Sequence, residues 1–318
     1  MRFSVWVALA LSGCASASPA PGPALAAEPP PAGPGSAAVA SAVSPATSPS
    51  SSSSAAPVRA YRDCGDLQCK AFASSEAAFD YVLGEQPRVL AVGEAHAQSD
   101  GPGGASSTKR FMDQLLPRLA PRASDLVIEL WVANGSCGKV EQKVATQQKA
   151  VTAPQAATNQ NEFMELGHRA KALGIMPHAL VPSCEQYQKI SGAGAADIEE
   201  MLKMIKSVTQ HDVETLLAQR SPERLVVAYG GALHNDLAPR EGRAEFSFGP
   251  ELKSATGDHY VELDLVVPEQ IKETETWRAL PWYDHYSLEK AGSEAYLYSW
   301  APHAYVLLFP KAQPNGTE

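Results

Sequence analysis

Two glutamates and two histidines stand where this sequence could do chemistry. The stretch Arg88-Val-Leu-Ala-Val-Gly-Glu-Ala-His96 sets a carboxylate and an imidazole two residues apart, directly after an apolar run and a glycine. Residues two apart on extended backbone point to the same side, so Glu94 and His96 can face one pocket. A carboxylate beside an imidazole orients the ring, raises its basicity, or shares a metal with it. A second run, Leu225-Val-Val-Ala-Tyr229, leads into Gly230-Gly-Ala-Leu-His234. Both runs therefore finish in Gly-x-x-His, from Gly93 to His96 and from Gly231 to His234. Glycines let a backbone approach a bound group closely, which makes Gly93 and Gly231 candidate ligand contacts. A third run, Asp125-Leu-Val-Ile-Glu-Leu130, carries Glu129 inside an apolar segment. A carboxylate there is costly unless it is paired or coordinating, so Glu129 either joins the pocket or bridges to a helix Lys or Arg.

Two histidines and one carboxylate with an open position form a recognised catalytic metal set. His96 and His234, with Glu94 or Glu129, would then hold Mn, Co, Zn or Fe. Without metal, His96 would be a general base oriented by Glu94. The plain counterpart is a capping carboxylate and a satisfied histidine in an ordinary turn. Weaker candidates are Arg110 and its neighbour Lys109 for an anionic group, His178 beside Pro177 as a pocket lining, and Asp236 as an orienting partner of His234. The aromatic group from Trp277 to Trp300 is expected to pack under the C-terminal strands. No Gly-x-Ser-x-Gly elbow, phosphate-binding loop or His-Glu-x-x-His helix is present, which argues against serine hydrolases, NTPases and zincins.

The elements that must position these residues follow from hydrophobic period. The unalternating runs at 88–92, 125–130 and 225–229 read as buried parallel strands, with further strands at 175–181, 260–267 and 304–309. Helices are expected at 74–83, 107–119, 138–150, 159–173, 195–206 and 210–220. Their alternation predicts an α/β fold: a mostly parallel central sheet flanked by helices, with added antiparallel strands toward the C-terminus. In such sheets ligand sites lie just outside the carboxyl ends of strands, where all four residues fall.

Residues 1–13 read as a signal peptide, with Arg2, an apolar stretch from Val5 to Leu11, and Leu11-Ser-Gly-Cys14. That last tetrapeptide resembles a bacterial lipobox, which implies lipid attachment at Cys14, a bilayer as partner and, with Ala15 following, the outer membrane as address. Residues 14–57 are almost wholly Ala, Pro, Ser and Gly, a tether that cannot build a core. Residues 58–318 suit a single domain. The remaining Cys64, Cys69, Cys137 and Cys184 fit an exported protein, and three pairings can be drawn. Cys64–Cys69 with Cys137–Cys184 is the preferred one; zinc is disfavoured because no Cys-x-x-Cys occurs. A formal charge of −9 and a pI near 5.4, without a Lys/Arg stripe, exclude a nucleic-acid binder.

Gly93-Glu-Ala-His96, Glu129 and Gly231-Ala-Leu-His234 together resemble the superfamily of erythromycin esterases, ChaN-type haem-binding lipoproteins and Tiki/TraB/PrgY proteins. The resemblance spans about Arg88 to Asp236. It implies either a hydrolase, metal-dependent in Tiki-like members and metal-free in the esterases, acting on a small molecule or peptide, or a lipoprotein that binds haem or another iron compound. ChaN-like sequences carry a further histidine soon after the first motif, and 97–107 holds none here. The leading expectation is therefore a membrane-anchored hydrolase, with haem binding as the alternative.

Overall fold

The computed structural model describes residues 60–101, 104–287 and 292–312. The signal segment 1–13, the expected lipid attachment at Cys14 and the tether 14–57 lie outside the described residues.

A hairpin of β1 (Arg62–Gly65) and β2 (Cys69–Phe72) opens the domain, and α1 (Ser75–Leu83) leads to β3 (Val89–Glu94). Next, α2 (Ser107–Arg110) runs through a π-turn at Phe111–Leu115 into α3 (Leu116–Leu119) and β4 (Ala123–Trp131). Two helices, α4 (Lys139–Thr152) and α5 (Asn159–Ala172), precede β5 (Met176–Leu180). Then come α6 (Cys184–Gly192), α7 (Asp197–Gln219) and β6 (Leu225–Gly231). The chain continues with α8 (Gly249–Thr256), β7 (Tyr260–Val266), α9 (Glu275–Arg278) and the closing pair β8 (Ala295–Ala301) and β9 (Ala304–Leu308).

The nine strands form one sheet in the order β1-β2-β8-β9-β7-β3-β6-β4-β5. From β9 to β5 every neighbouring pair is parallel, whereas β8, β2 and β1 add antiparallel at one edge. The α/β architecture expected from the sequence is the one observed. Its antiparallel portion draws on the N-terminal hairpin as well as on the C-terminal strands.

Helices cover both faces, which is why the central strands need apolar side chains without alternation. All six residues of β3 are buried. Leu90 and Val92 pack into the core shared with α1, α3 and α5, while Val89 and Ala91 pack into the core under α6, α7 and α8. Local signals set the helix ends. Ser74 caps α1 by accepting the Ala77 N–H, and Ser183 forms a reciprocal capping box with Gln186 at α6. The two helices expected over 195–206 and 210–220 are one helix of 23 residues. The joining Ser207-Val-Thr209 contains no Gly or Pro to stop it, and Val208 and Thr209 are buried.

Both preferred disulfides are present. Cys64–Cys69 closes the first hairpin, and Cys137–Cys184 ties the loop after β4 to the start of α6. The late aromatic residues pack as expected: Trp282 is buried with Trp277, Tyr286 and Tyr298 beneath the β8–β9 pair.

At the centre of the sheet Gly93 of β3 pairs with Gly230 of β6. A Cβ at Gly93 would overlap Asp264 Oδ1 and lie 2.8 Å from Ala232 Cα. A Cβ at Gly230 would overlap Glu129 Oε2 and lie 2.7 Å from Glu129 Cβ. In α5, by contrast, a Cβ at Gly167 would lie 3.4 Å from Ile128 Cδ1, an ordinary contact. Urea unfolding is expected to show Gly93→Ala and Gly230→Ala each losing about 1–3 kcal/mol through overpacking. Gly167→Ala is expected to gain up to about 1 kcal/mol from helix propensity.

Candidate functional site

The site lies at the carboxyl ends of β3, β6 and β4, in the middle of the parallel part of the sheet. Glu94 is the last residue of β3 and sits in register with Gly231, the last of β6. Glu129 belongs to β4, where the pairing with β5 slips between Ile128 and Trp131. Such irregularities re-aim side chains next to functional sites. The carboxylate of Glu129 crosses over Gly230, which only a residue without a Cβ permits. Its Oε2 then accepts the Gly231 N–H at 2.6 Å.

His96 is held from one side by Glu94, whose Oε1 lies 2.6 Å from His96 Nδ1. The other oxygen of Glu94 accepts from Thr108 Oγ1 at 3.1 Å, and Thr108 accepts in turn from the Tyr229 hydroxyl at 3.2 Å. The edge of Phe163 packs on the imidazole with centroids 5.9 Å apart. His234 follows the same logic: its Nδ1 lies 2.7 Å from the carbonyl oxygen of Phe246. A carbonyl only accepts, so Nδ1 carries the hydrogen and Nε2 of the neutral ring is bare. An ionised Glu94 imposes the same tautomer on His96. Asn235 pins the loop that carries His234, donating to Asp264 Oδ1 at 3.0 Å and accepting from the Tyr260 hydroxyl at its carbonyl at 2.6 Å.

Among the buried polar atoms of the described residues without a hydrogen-bond partner are Asn235 Oδ1, His96 Nε2, His234 Nε2 and Glu129 Oε1. The last two are 3.9 Å apart. A Cβ on Gly231 would lie 3.3 Å from His96 Nε2 and 3.5 Å from Glu129 Oε2, so the glycine leaves open the ground between them. The cavity lined by Glu129, Tyr229, Gly231 and His234 has a free volume of about 10 Å³, the space of about one water molecule. The unpartnered Glu129 Oε1 and His234 Nε2 beside so small a space call for a compact donor. Burial works against a charged His96 ring, but the hydrogen bond and charge of Glu94, with the charge of Glu129, outweigh it and raise its pKa above the ordinary value.

Glu94, His96, Glu129 and His234 are thus brought together, and of the two glycine contacts expected, Gly231 faces the site. Gly93 does not; its missing side chain makes room for Asn235 and Asp264. Arg110 lies elsewhere, donating to the Pro310 carbonyl at 2.7 Å and to Glu269 at 3.2 Å under the ring of Phe309. His178 also lies elsewhere, on the edge strand, 2.8 Å from Asp125, which Arg220 engages as well. Asp236 does not orient His234, because the Phe246 carbonyl does. Lys109 pairs with Asp113 at the surface.

The expected metal shell is not assembled. Glu94 spends both oxygens on His96 and Thr108, and among the described residues no three His, Cys, Asp or Glu side chains converge on an ion. Bare imidazole nitrogens are the atoms haem iron takes; the two here belong to rings almost wholly buried, at 3% and 2% exposure. Thr108 and Tyr229 are the site residues the sequence did not single out. Tyr229 reads as one more core position of its strand, and Thr108 stands beside the more conspicuous Lys109 and Arg110.

No family model matches the chain, and no curated protein matches it. Among solved structures, one described as cofacial haem binding to ChaN of Campylobacter jejuni is similar, at 10% sequence identity and a TM-score of 0.35, over 73% of this chain and 91% of that one. At that distance neither its ligand nor any of its residues carries over to this chain.

Glu94 leads to a pH prediction. His96 is expected to titrate above its ordinary 6.5 in histidine NMR spectra, and Glu94→Gln to bring it down, because a negative partner of the imidazolium is lost. The folded ring holds its proton more tightly than the unfolded chain. The stability this supplies is therefore present below pH 6.5 and disappears as pH rises through the folded value. The stability gap between parent and Glu94→Gln should accordingly be wider at about pH 5.5 than at about pH 8.5.

Proposed function

We propose that the chain is a hydrolase that activates water at His96, exported and anchored at the cell envelope through Cys14. The observation that supports the activity most is the pair of buried, unpartnered acceptors Glu129 Oε1 and His234 Nε2 on a water-sized cavity, with the likewise unpartnered His96 Nε2 beside the Gly231 that lines it. A water there gives one hydrogen to His96 Nε2 and the other to Glu129 Oε1 or His234 Nε2. As its oxygen attacks a carbonyl carbon, the first proton moves to His96. Glu94 stabilises the imidazolium that forms, and His96 then returns the proton to the leaving group. The substrate class is a small ester or a peptide. The two disulfides support an oxidising compartment, and the residues around Cys14 support attachment to a bilayer, with the outer membrane as the proposed address.

A panel of activated esters and peptides tests the reading. His96→Ala is expected to lower kcat/KM by about 10²–10⁴-fold, the usual worth of a general base, while the fold is retained. Equal turnover by parent and His96→Ala would contradict it. A visible haem band formed at one equivalent and lost in the His96→Ala/His234→Ala double variant would replace it with the binding alternative. Anchoring is tested separately: Cys14→Ala is expected to move the chain from the membrane to the soluble fraction.

A further inference from the structure

We infer that Thr108 is a positioning residue for His96, acting through Glu94, and that Tyr229 sets the direction of its hydroxyl. The catalytic consequence rests on the hydrolase reading; the effect on the imidazole does not.

Thr108 is the second residue of α2 and is 2% exposed. Its hydroxyl has two polar neighbours, Glu94 Oε2 at 3.1 Å and the Tyr229 oxygen at 3.2 Å. An ionised carboxylate only accepts, so the single hydrogen of Thr108 goes to Glu94 and its lone pair takes the Tyr229 hydrogen. Tyr229 is suited to donate. Burial, with the charges of Glu94 and Glu162 nearby, keeps its hydroxyl neutral. Its ring is fixed by Phe111 at 4.7 Å and Phe163 at 5.8 Å. Phe163 also meets the His96 ring at 5.9 Å, so the contacts close on themselves from His96 through Phe163, Tyr229, Thr108 and Glu94 back to His96.

The direction of this relay decides the tautomer. Glu94 meets a donor on each oxygen, and as a carboxylate it draws the Nδ1 hydrogen of His96 toward itself. Without the Thr108 hydroxyl, Glu94 Oε2 would be a buried anion atom without a donor, which is costly. Protonating Glu94 relieves that cost. A neutral carboxylic acid can then donate to Nδ1, which leaves the hydrogen of the neutral ring on Nε2. That tautomer cannot accept a proton from water at Nε2.

The test is ¹⁵N NMR of the full chain labelled at histidine, above the pH at which His96 loses its charge, beside kcat/KM on whichever ester or peptide is turned over. The parent and Thr108→Ser are expected to show His96 as the Nδ1–H tautomer. Thr108→Val is expected to show a substantial Nε2–H population and a loss in kcat/KM on the order of 10²-fold with KM little changed. Tyr229→Phe keeps the ring packing and frees the Thr108 hydroxyl to rotate, so it should give a smaller shift of the same sign even if Thr108→Val fails to fold. An unchanged tautomer in both Thr108→Val and Tyr229→Phe would overturn the inference, as would Thr108→Ser behaving like Thr108→Val. If no substrate is turned over yet the tautomer shifts as described, the positioning role stands and the hydrolase reading falls.

Discussion

A buried carboxylate must be given donors, and the centre of this protein is arranged around that requirement. Glu94 ends the central strand with no solvent to hydrate it, and it is met by the Nδ1–H of His96 on one oxygen and the Thr108 hydroxyl on the other. Glu129 faces the same constraint from a neighbouring strand and meets half of it with the Gly231 N–H. Its second oxygen is left for the site. The two carboxylates are therefore treated differently by their surroundings. One is fully satisfied and orients a ring, while the other keeps a free acceptor. Separate environments for paired titratable groups are how acid and base roles are divided.

Glycine makes this arrangement sterically possible. Gly93 and Gly230 face each other across β3 and β6, and each leaves its space to another residue's polar side chain, Asp264 and Asn235 in the first case and Glu129 in the second. Gly231 differs, since the space it leaves lies between the site's polar atoms rather than within the packing. The helices α5 and α2 complete the enclosure from one face through Phe163 and Thr108. The result is a site buried deeply enough that hydrogen bonds within it are strong and each unpaired atom is expensive.

The sequence announced the parts of this design that repeat with a period or punctuate it. Unalternating apolar runs marked β3, β4 and β6, and Gly-x-x-His marked the two histidines at the strand ends. The late strands were legible for the same reason. What escaped depends on contacts distant in the chain. The β1–β2 hairpin is short, and β8 mixes Tyr, Ser and Trp with apolar residues because it lies in the antiparallel portion beside an aromatic cluster. Arg110 and His178 looked functional by residue type, but pairing with Glu269 and Asp125 accounts for both. Thr108 and Tyr229 carry no local signal, since their role exists only once α2 and β6 bring two hydroxyls to one carboxylate. Spacing likewise placed Glu94 beside His96 as its orienter, without revealing that Thr108 would take the second oxygen of Glu94.

The most direct test compares two independent readings of one proton. The acid limb of the pH profile of kcat/KM reports the essential base of the free protein, and histidine NMR reports the titration of the His96 ring itself. If His96 activates water, the limb and the titration fall at the same pH, and Glu94→Gln carries both downward together. A limb that stays in place while the His96 titration moves would show that another group is the base, and water activation by His96 would be contradicted.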